Sequence, residues 1–152
     1  MNTLQLDRTL DKISGFLGAF SYNQIPKSRR TMFSLILNTD SSDEPGSHWI
    51  ALIYKNGVYY FMDSYGRDLT NVTFPDKFRK SMEKYMGKKS CIYCNKFLQQ
   101  LTSNTCGAYA CYFIYMLSSG FTLRKTLEVF STNLKNNDDY IMKFISTADF
   151  TI

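Results

Sequence analysis

Three residue types that together support nucleophilic chemistry lie far apart in this 152-residue chain: His48, Asp63 and Cys106, the last standing where polar sequence gives way to an apolar run. A thiol attacks as the thiolate, and its ordinary pKa of ~8.5 falls beside a histidine or at a helix N-terminus. His48 is the only histidine, so any cysteine–histidine chemistry must use it. Cys106 meets the second condition, because Ser103, Asn104 or Thr105 can cap a helix starting there and Gly107 permits close backbone approach. Gln99 and Gln100 precede Cys106 by seven and six residues. Either amide can turn back and, with the Cys106 N–H, form an oxyanion hole. Taken singly, each residue also has a plain reading: a core thiol, a satisfied histidine, a turn-forming aspartate. Their joint placement shifts the weight toward chemistry.

The elements that must bring them together start with a hairpin. Trp49 to Tyr54 and Val58 to Met62 alternate as strands around Lys55-Asn56-Gly57, and Asn-Gly is the preferred pair of a type I′ turn. In that register Lys55 faces Val58, paired residue numbers sum to 113, and Asp63 falls opposite Ile50. His48 shares the pleat face of Ile50, so Asp63 becomes its diagonal neighbour, about 7–8 Å away along the backbone and within side-chain reach. Met32 to Leu37 reads as a buried strand, and Asn38 to Ser47 as a loop. Leu4, Leu6, Leu10, Ile13 and Leu17 predict an N-terminal helix over Thr3 to Phe20, ended by Gly15 and Gly18.

Pro75 to Lys89 predicts an amphipathic helix with Phe78, Met82, Tyr85 and Met86 on one side and Lys77, Lys80, Lys84 and Lys88 on the other. Ser90 to Leu98 reads as a strand, and Cys106 to Leu117 as a central helix, apolar all round. Helices near Leu123 to Phe130 and Asn137 to Ile145 follow. Cys91 and Cys94 form a lone Cys-x-x-Cys; with no second pair and the one histidine committed elsewhere, packing is preferred to zinc, and no metal is expected.

Composition bounds the rest. Apolar residues at 44% and charged residues at 20% exclude a disordered chain and predict one domain over residues 1–152. The apolar run from Ala108 to Leu117 is half of the about 20 residues that span a bilayer, so neither a membrane partner nor a classical signal is expected. Four cysteines in a core-rich chain point to an intracellular, reducing setting. A net charge of +5 and a pI near 9.0 favour polyanions, and the lysine stripe is the candidate surface.

Gly46-Ser47-His48-Trp49, Phe61-Met62-Asp63-Ser64-Tyr65-Gly66, and Gln99 with Ser103-Asn104-Thr105-Cys106-Gly107 and Cys111 together resemble the adenain family of viral maturation proteases and its relatives in DNA viruses and virus-like elements. Upstream, Gly15-Phe16-Leu17-Gly18, Pro26 and Leu35-Ile36-Leu37-Asn38-Thr39 extend the likeness, which covers about residues 10 to 120. The His, acid, Cys order is also that of the ubiquitin-like-protein proteases and differs from papain's. The resemblance implies an α+β, papain-like fold in which a central helix carrying Cys packs on a mixed sheet carrying His and acid. It implies Cys106 as nucleophile, His48 as general base and then acid, Asp63 as orienter, and Gln99 as oxyanion donor. Gln100 has the spacing of the ubiquitin-like-protein proteases and competes for that last role. Trp49 and Gly107 are implied at the substrate cleft, with Trp49 as a wall beside the histidine.

The implied activity is peptide hydrolysis through a thioester near glycine-containing sites. Its expected substrates are viral structural precursors, its expected state a monomer, and its expected location the assembly site and the virion. No cofactor is required, although family members are activated by DNA or a disulfide-linked peptide. Asp63 stands where adenain has glutamate, and Cys91 lacks the spacing for the peptide disulfide. Two other readings remain: a protease of ubiquitin-like modifiers, and a non-enzymatic basic binding module in which Cys106 is only core.

Overall fold

A computed structural model describes residues 1–43 and 48–148. Gly46, Ser47 and the end of the loop expected over Asn38 to Ser47 lie outside the described residues. The order is α1 (Thr3–Leu10), β1 (Phe16–Ser21), a 3-10 turn (Tyr22–Gln24), β2 (Phe33–Asn38), β3 (Trp49–Lys55), β4 (Val58–Met62), α2 (Asp76–Met86), β5 (Ser90–Tyr93), α3 (Cys106–Ser118), α4 (Leu123–Leu127) and α5 (Leu134–Thr147). The five strands lie in the order β1-β2-β3-β4-β5. β2, β3 and β4 run antiparallel, while β1 on β2 and β5 on β4 are parallel, giving the mixed sheet of an α+β fold.

The hairpin register is the one its turn chemistry predicts. Lys55 pairs with Val58 and Ala51 with Met62, and Asn56 and Gly57 take φ of 52° and 76°, the left-handed pair that a type I′ turn requires. The N-terminal expectation needs correction. The helix ends at Leu10, and Phe16–Ser21 is an edge strand beside β2 rather than the helix's last turns. Ala19 N–H donates to the Asp7 carboxylate (2.7 Å), tying strand to helix. Gly15, at φ 79°, sits where a Cβ would lie 2.9 Å from the Met32 carbonyl oxygen, so it turns the chain against β2. The strand expected over Ser90 to Leu98 stops at Tyr93, and residues 94–105 carry neither helix nor strand.

Alternation along β2, β3 and β4 splits the core in two. Ile36, Ala51, Ile53 and Met62 face α1, α3 and α5, whereas Leu35, Leu37, Leu52 and Phe61 face α2 through Phe78, Met82 and Met86. α3 is buried from Gly107 to Ile114, as expected of a helix apolar all round. Its Tyr112 hydroxyl donates to the Thr126 carbonyl (2.6 Å), which satisfies the polar end of a fully buried ring. Lys55 Nζ donates to the Leu117 carbonyl (3.0 Å) at the far end of α3, where a cation is favoured. The helix that starts at Cys106 is therefore fixed at both ends and along its length.

Candidate active site

His48 immediately precedes β3 and Asp63 immediately follows β4, so the hairpin ladder delivers both to one end of the sheet. His48 Nε2 and Asp63 Oδ1 are 2.6 Å apart, with Asp63 fully buried. Asp63 is held on both oxygens. Oδ1 also accepts from the Tyr65 N–H (3.2 Å), and Oδ2 accepts from Arg67 Nε (2.7 Å) and the Arg67 N–H (3.3 Å). Burial alone would raise the Asp63 pKa, but its bonds to His48 and Arg67 outweigh that and leave it below the usual carboxylate value. Arg67 is itself fixed, its guanidinium 4.0 Å above the Phe74 ring centroid and its Nη1 on Thr73 Oγ1 (3.1 Å).

The Tyr65 ring stacks on the His48 ring at 4.9 Å and 13°. Phe97, partly exposed, stacks on Tyr65 in turn at 5.6 Å. With Nε2 of His48 engaged by Asp63, Nδ1 is the ring nitrogen left for the Cys106 side, and His48 and Cys106 each favour the other's charged form. Burial disfavours the charged imidazole, yet its bonds to Asp63 and Cys106 leave the His48 pKa raised.

Cys106 opens α3. Burial pushes its thiol up, but the His48 bond and the N–H groups of Trp49 and Gly107 bring it below the ordinary thiol value. The expected side-chain cap is not made. Thr105 is the N-cap, but its hydroxyl donates to Asp138 Oδ1 (3.2 Å) instead of closing the helix start. The first turn's N–H groups are thereby left without a side-chain cap, and the partial positive charge of a helix start favours a thiolate there.

The glutamines part ways. Gln99 is buried; its Oε1 accepts from Ser64 Oγ (2.6 Å), and its Nε2 donates to the Ser103 carbonyl (3.1 Å) and Ser103 Oγ (3.2 Å). Gln100 turns the other way, with its N–H (3.4 Å) and Nε2 (3.2 Å) on Asp138 Oδ2 of α5. The two candidate oxyanion donors are thus held by different partners, the Gln100 amide by Asp138 of the helix behind the loop and the Gln99 amide by Ser103 within it. Gly66 makes the approach of the two segments feasible. At φ 72° its absent Cβ would lie 2.6 Å from the Lys96 carbonyl carbon, and Ser64 O accepts from the Leu98 N–H (2.9 Å).

The remaining candidates fall elsewhere. Trp49 Nε1 donates to the Met1 carbonyl (3.0 Å) and its ring lies beside Gly107. Gly107 is buried against Leu6, Met1 and Trp49, so it faces α1 and offers the site a backbone N–H rather than a cleft wall. Lys77, Lys80, Lys84 and Lys88 are exposed on or just beyond α2, across the sheet from α3. Cys91 packs with the α2-side core and Cys94 is buried in the α3-side core, so this Cys-x-x-Cys straddles the sheet and its thiols do not share a site.

Sequence reasoning missed Arg67, Tyr65, Ser64 and Asp138. A buried carboxylate needs partners, and the nearest cation in sequence to Asp63 is Arg67, four residues on. Asp138 also left a trace, since Asn137 and Asp138 occupy the stripe otherwise formed by Leu134, Ile141 and Ile145. Polar residues on an apolar stripe mark a buried network.

The arrangement can hold a thiolate beside an imidazolium, orient that ring from behind, and present N–H donors to a developing negative charge. A family model described as the Ulp1 protease family, C-terminal catalytic domain, matches residues 32–150. A protein of Acanthamoeba polyphaga mimivirus named as a thiol protease is 30% identical over 104 residues, or 66% of this chain and 34% of its own length. The chain therefore spans about a third of that curated relative. Among solved structures, the pS273R protease of ASFV superposes with a TM-score of 0.51 at 20% identity, covering 79% of this chain and 44% of that one. ChlaDub1 from Chlamydia trachomatis gives 0.52 at 15% identity, over 78% and 60% of the two chains. The central domain of the uncharacterized Lpg1148 protein from Legionella pneumophila gives 0.58 at 12% identity, over 96% and 93%. At these identities the superpositions speak for the α+β fold alone. The family match supports the ubiquitin-like-protein protease side of the sequence resemblance and is not specific to adenain. Since it runs over residues 32–150, which include His48, Asp63 and Cys106, the chain belongs to the Ulp1 protease family.

Proposed function

We propose that this chain hydrolyses peptide bonds as a thiol protease of ubiquitin-like modifiers, cutting at glycine-containing sites. The observation that carries it is the buried pair of His48 Nε2 and Asp63 Oδ1 at 2.6 Å, with His48 in turn drawing the Cys106 thiol below its ordinary pKa at the start of a buried helix. The Cys106 thiolate attacks the scissile carbonyl carbon, and the carbonyl oxygen becomes an oxyanion facing the Cys106 N–H and the Gln99 amide. Ser103 Oγ also bonds the Gln100 carbonyl and Thr105 Oγ1, which lets one Gln99 Nε2 proton turn to the oxyanion. As the C–N bond breaks, the His48 imidazolium gives its proton to the departing amine and a thioester remains. Neutral His48 then takes a proton from water, the hydroxide adds to the thioester, and the carboxylic product leaves as Cys106 regains its thiolate. Asp63 keeps Nδ1 of His48 aimed at sulfur and stabilises the charged ring.

The family match and the His, acid, Cys order support the modifier substrate class. A second reading, maturation of virion precursor proteins in an infected cell, is favoured by the likeness to a mimivirus thiol protease. Offering a ubiquitin-like modifier conjugate and a virion precursor side by side tests the choice: cleavage of the precursor alone reverses it. Peptidase activity that survives Cys106→Ala or His48→Ala overturns the catalytic assignment itself. Polyanion binding by Lys77, Lys80, Lys84 and Lys88 is proposed as a separate function. It predicts DNA binding that weakens with salt and with Lys80→Glu plus Lys84→Glu; binding indifferent to both rejects it.

A further inference from the structure

Residues 98–105 carry Gln99 and lead directly into Cys106, yet they have no helix or strand of their own. Their polar groups are gathered by two neighbouring side chains of α5. Asn137, 2% exposed, donates from Nδ2 to the Leu98 carbonyl (3.1 Å) and the Ser131 carbonyl (2.8 Å), while its Oδ1 accepts from the Ser131 N–H (3.0 Å). Asp138, 5% exposed, takes four donors from the segment and the helix it feeds: the Gln100 N–H and Nε2 on Oδ2, and the Thr105 hydroxyl (3.2 Å) and Tyr109 hydroxyl (2.8 Å) on Oδ1. The Tyr109 hydroxyl also reaches the Leu98 carbonyl (3.3 Å), closing the ring of contacts.

A buried carboxylate is costly unless its lone pairs are used, and among the described residues no cation pairs with Asp138. Its partners are neutral donors spread over residues 100–109, so the charge is satisfied only when that stretch has one shape. Gln99 is held between two such anchors: Leu98 is fixed by Asn137 on one side and Gln100 by Asp138 on the other. Ser64 fixes its side chain from the front.

We propose that Asn137 and Asp138 of α5 are positioning residues that lock the Gln99–Thr105 loop, so that the Gln99 amide and the Cys106 N–H converge on one oxyanion. The inference rests on Gln99 as oxyanion donor and assigns that geometry to a helix remote in sequence. Displacement of a catalytic group by about 1 Å can cost on the order of 10²-fold in rate.

The test is a double-mutant cycle of Asp138→Ala with Gln99→Ala on the full chain, with kcat and KM measured on a peptide substrate and corrected for folded fraction. Gln99→Ala is expected to lower kcat about 10²–10³-fold. Asp138→Ala is expected to lower kcat about 10–10²-fold with KM changed less than about twofold, and to have almost no further effect once Gln99 is gone. Asp138→Asn, which keeps one oxygen for Gln100 while the two hydroxyls rotate, should recover most of the rate. Unchanged kcat in Asp138→Ala, or an equal loss in both backgrounds, overturns the positioning role while leaving Gln99 as donor. Unchanged kcat in Gln99→Ala overturns the donor reading and the positioning role with it. Should Asp138→Ala fail to fold, Asn137→Ala, which frees the Leu98 carbonyl, serves the same cycle.

Discussion

Cys106 and Cys111 sit on one helix, little more than a turn apart, and their thiols are displaced in opposite directions. Burial pushes Cys111 up to about 12, and Cys94, buried on the same side of the sheet, up to about 11. Cys106 feels the same desolvation, but hydrogen bonds from His48, Trp49 and Gly107 outweigh it. Withdrawal from water therefore silences a thiol unless donors face it, and only the first turn of a helix has N–H groups to spare. The apolar body of α3 anchors the nucleophile; the polar edge activates it.

The widest separation between the two thiols comes from removing one of them. Cys106→Ala should abolish thioester-dependent peptide hydrolysis and leave the melting temperature nearly unchanged; measurable turnover would mean that another residue attacks. His48→Ala should make Cys106 behave more like Cys111. Turnover is expected to fall about 10²–10⁴-fold, and alkylation of Cys106 at neutral pH should slow toward that of an unassisted thiol. Equal alkylation rates with and without His48 would break the comparison.

In the intact protein, Cys106 alkylation should persist below the ordinary thiol range while Cys94 and Cys111 stay inert. The sign follows from the two displacements. Lowering of the Cys106 value and raising of the His48 value draw the two titrations toward each other, so kcat/KM should be bell-shaped, rising as one group loses its proton and falling as the pair loses the second. The apparent limits belong to the pair rather than to either residue.

Arg67→Ala acts one step back. It leaves the buried Asp63 with a single side-chain partner and should cost about 3–5 kcal/mol in denaturant unfolding. Asp63 contributes stability above ~3.9, its unfolded value, and loses it as pH falls through its depressed folded value. Without Arg67 that value rises, so acid unfolding should begin at higher pH; an unmoved acid midpoint would deny Arg67 this role. Cys111→Ala should have the smallest effect, about 1 kcal/mol of stability with unchanged turnover per folded molecule.

Much of this contrast was legible in residue order. The Asn56-Gly57 turn set the ladder that places Asp63 beside His48, and an even two-residue loop decides which pleat face each occupies. The apolar run after Cys106 read correctly as a buried helix. Leu17 continues the helical period of the first helix in sequence, whereas pairing with β2 and the turn at Gly15 draw Phe16–Ser21 into the sheet. Spacing left Gln99 and Gln100 equivalent, since a loop of residues without regular structure has no fixed facing.

The sequence by itself determined the chemistry available: one histidine, an aspartate two strands' ends away, a cysteine at the head of an apolar helix, and glutamines just before it. Those are matters of residue type and short-range periodicity, which local sterics and turn chemistry dictate. The tertiary structure decided which of the glutamines turns inward, which cation neutralises Asp63 from behind, and that α5 gathers the loop before Cys106. These outcomes depend on where buried polar groups find partners across the packed layers, and a carboxylate such as Asp138 meets its donors only after α5 has docked.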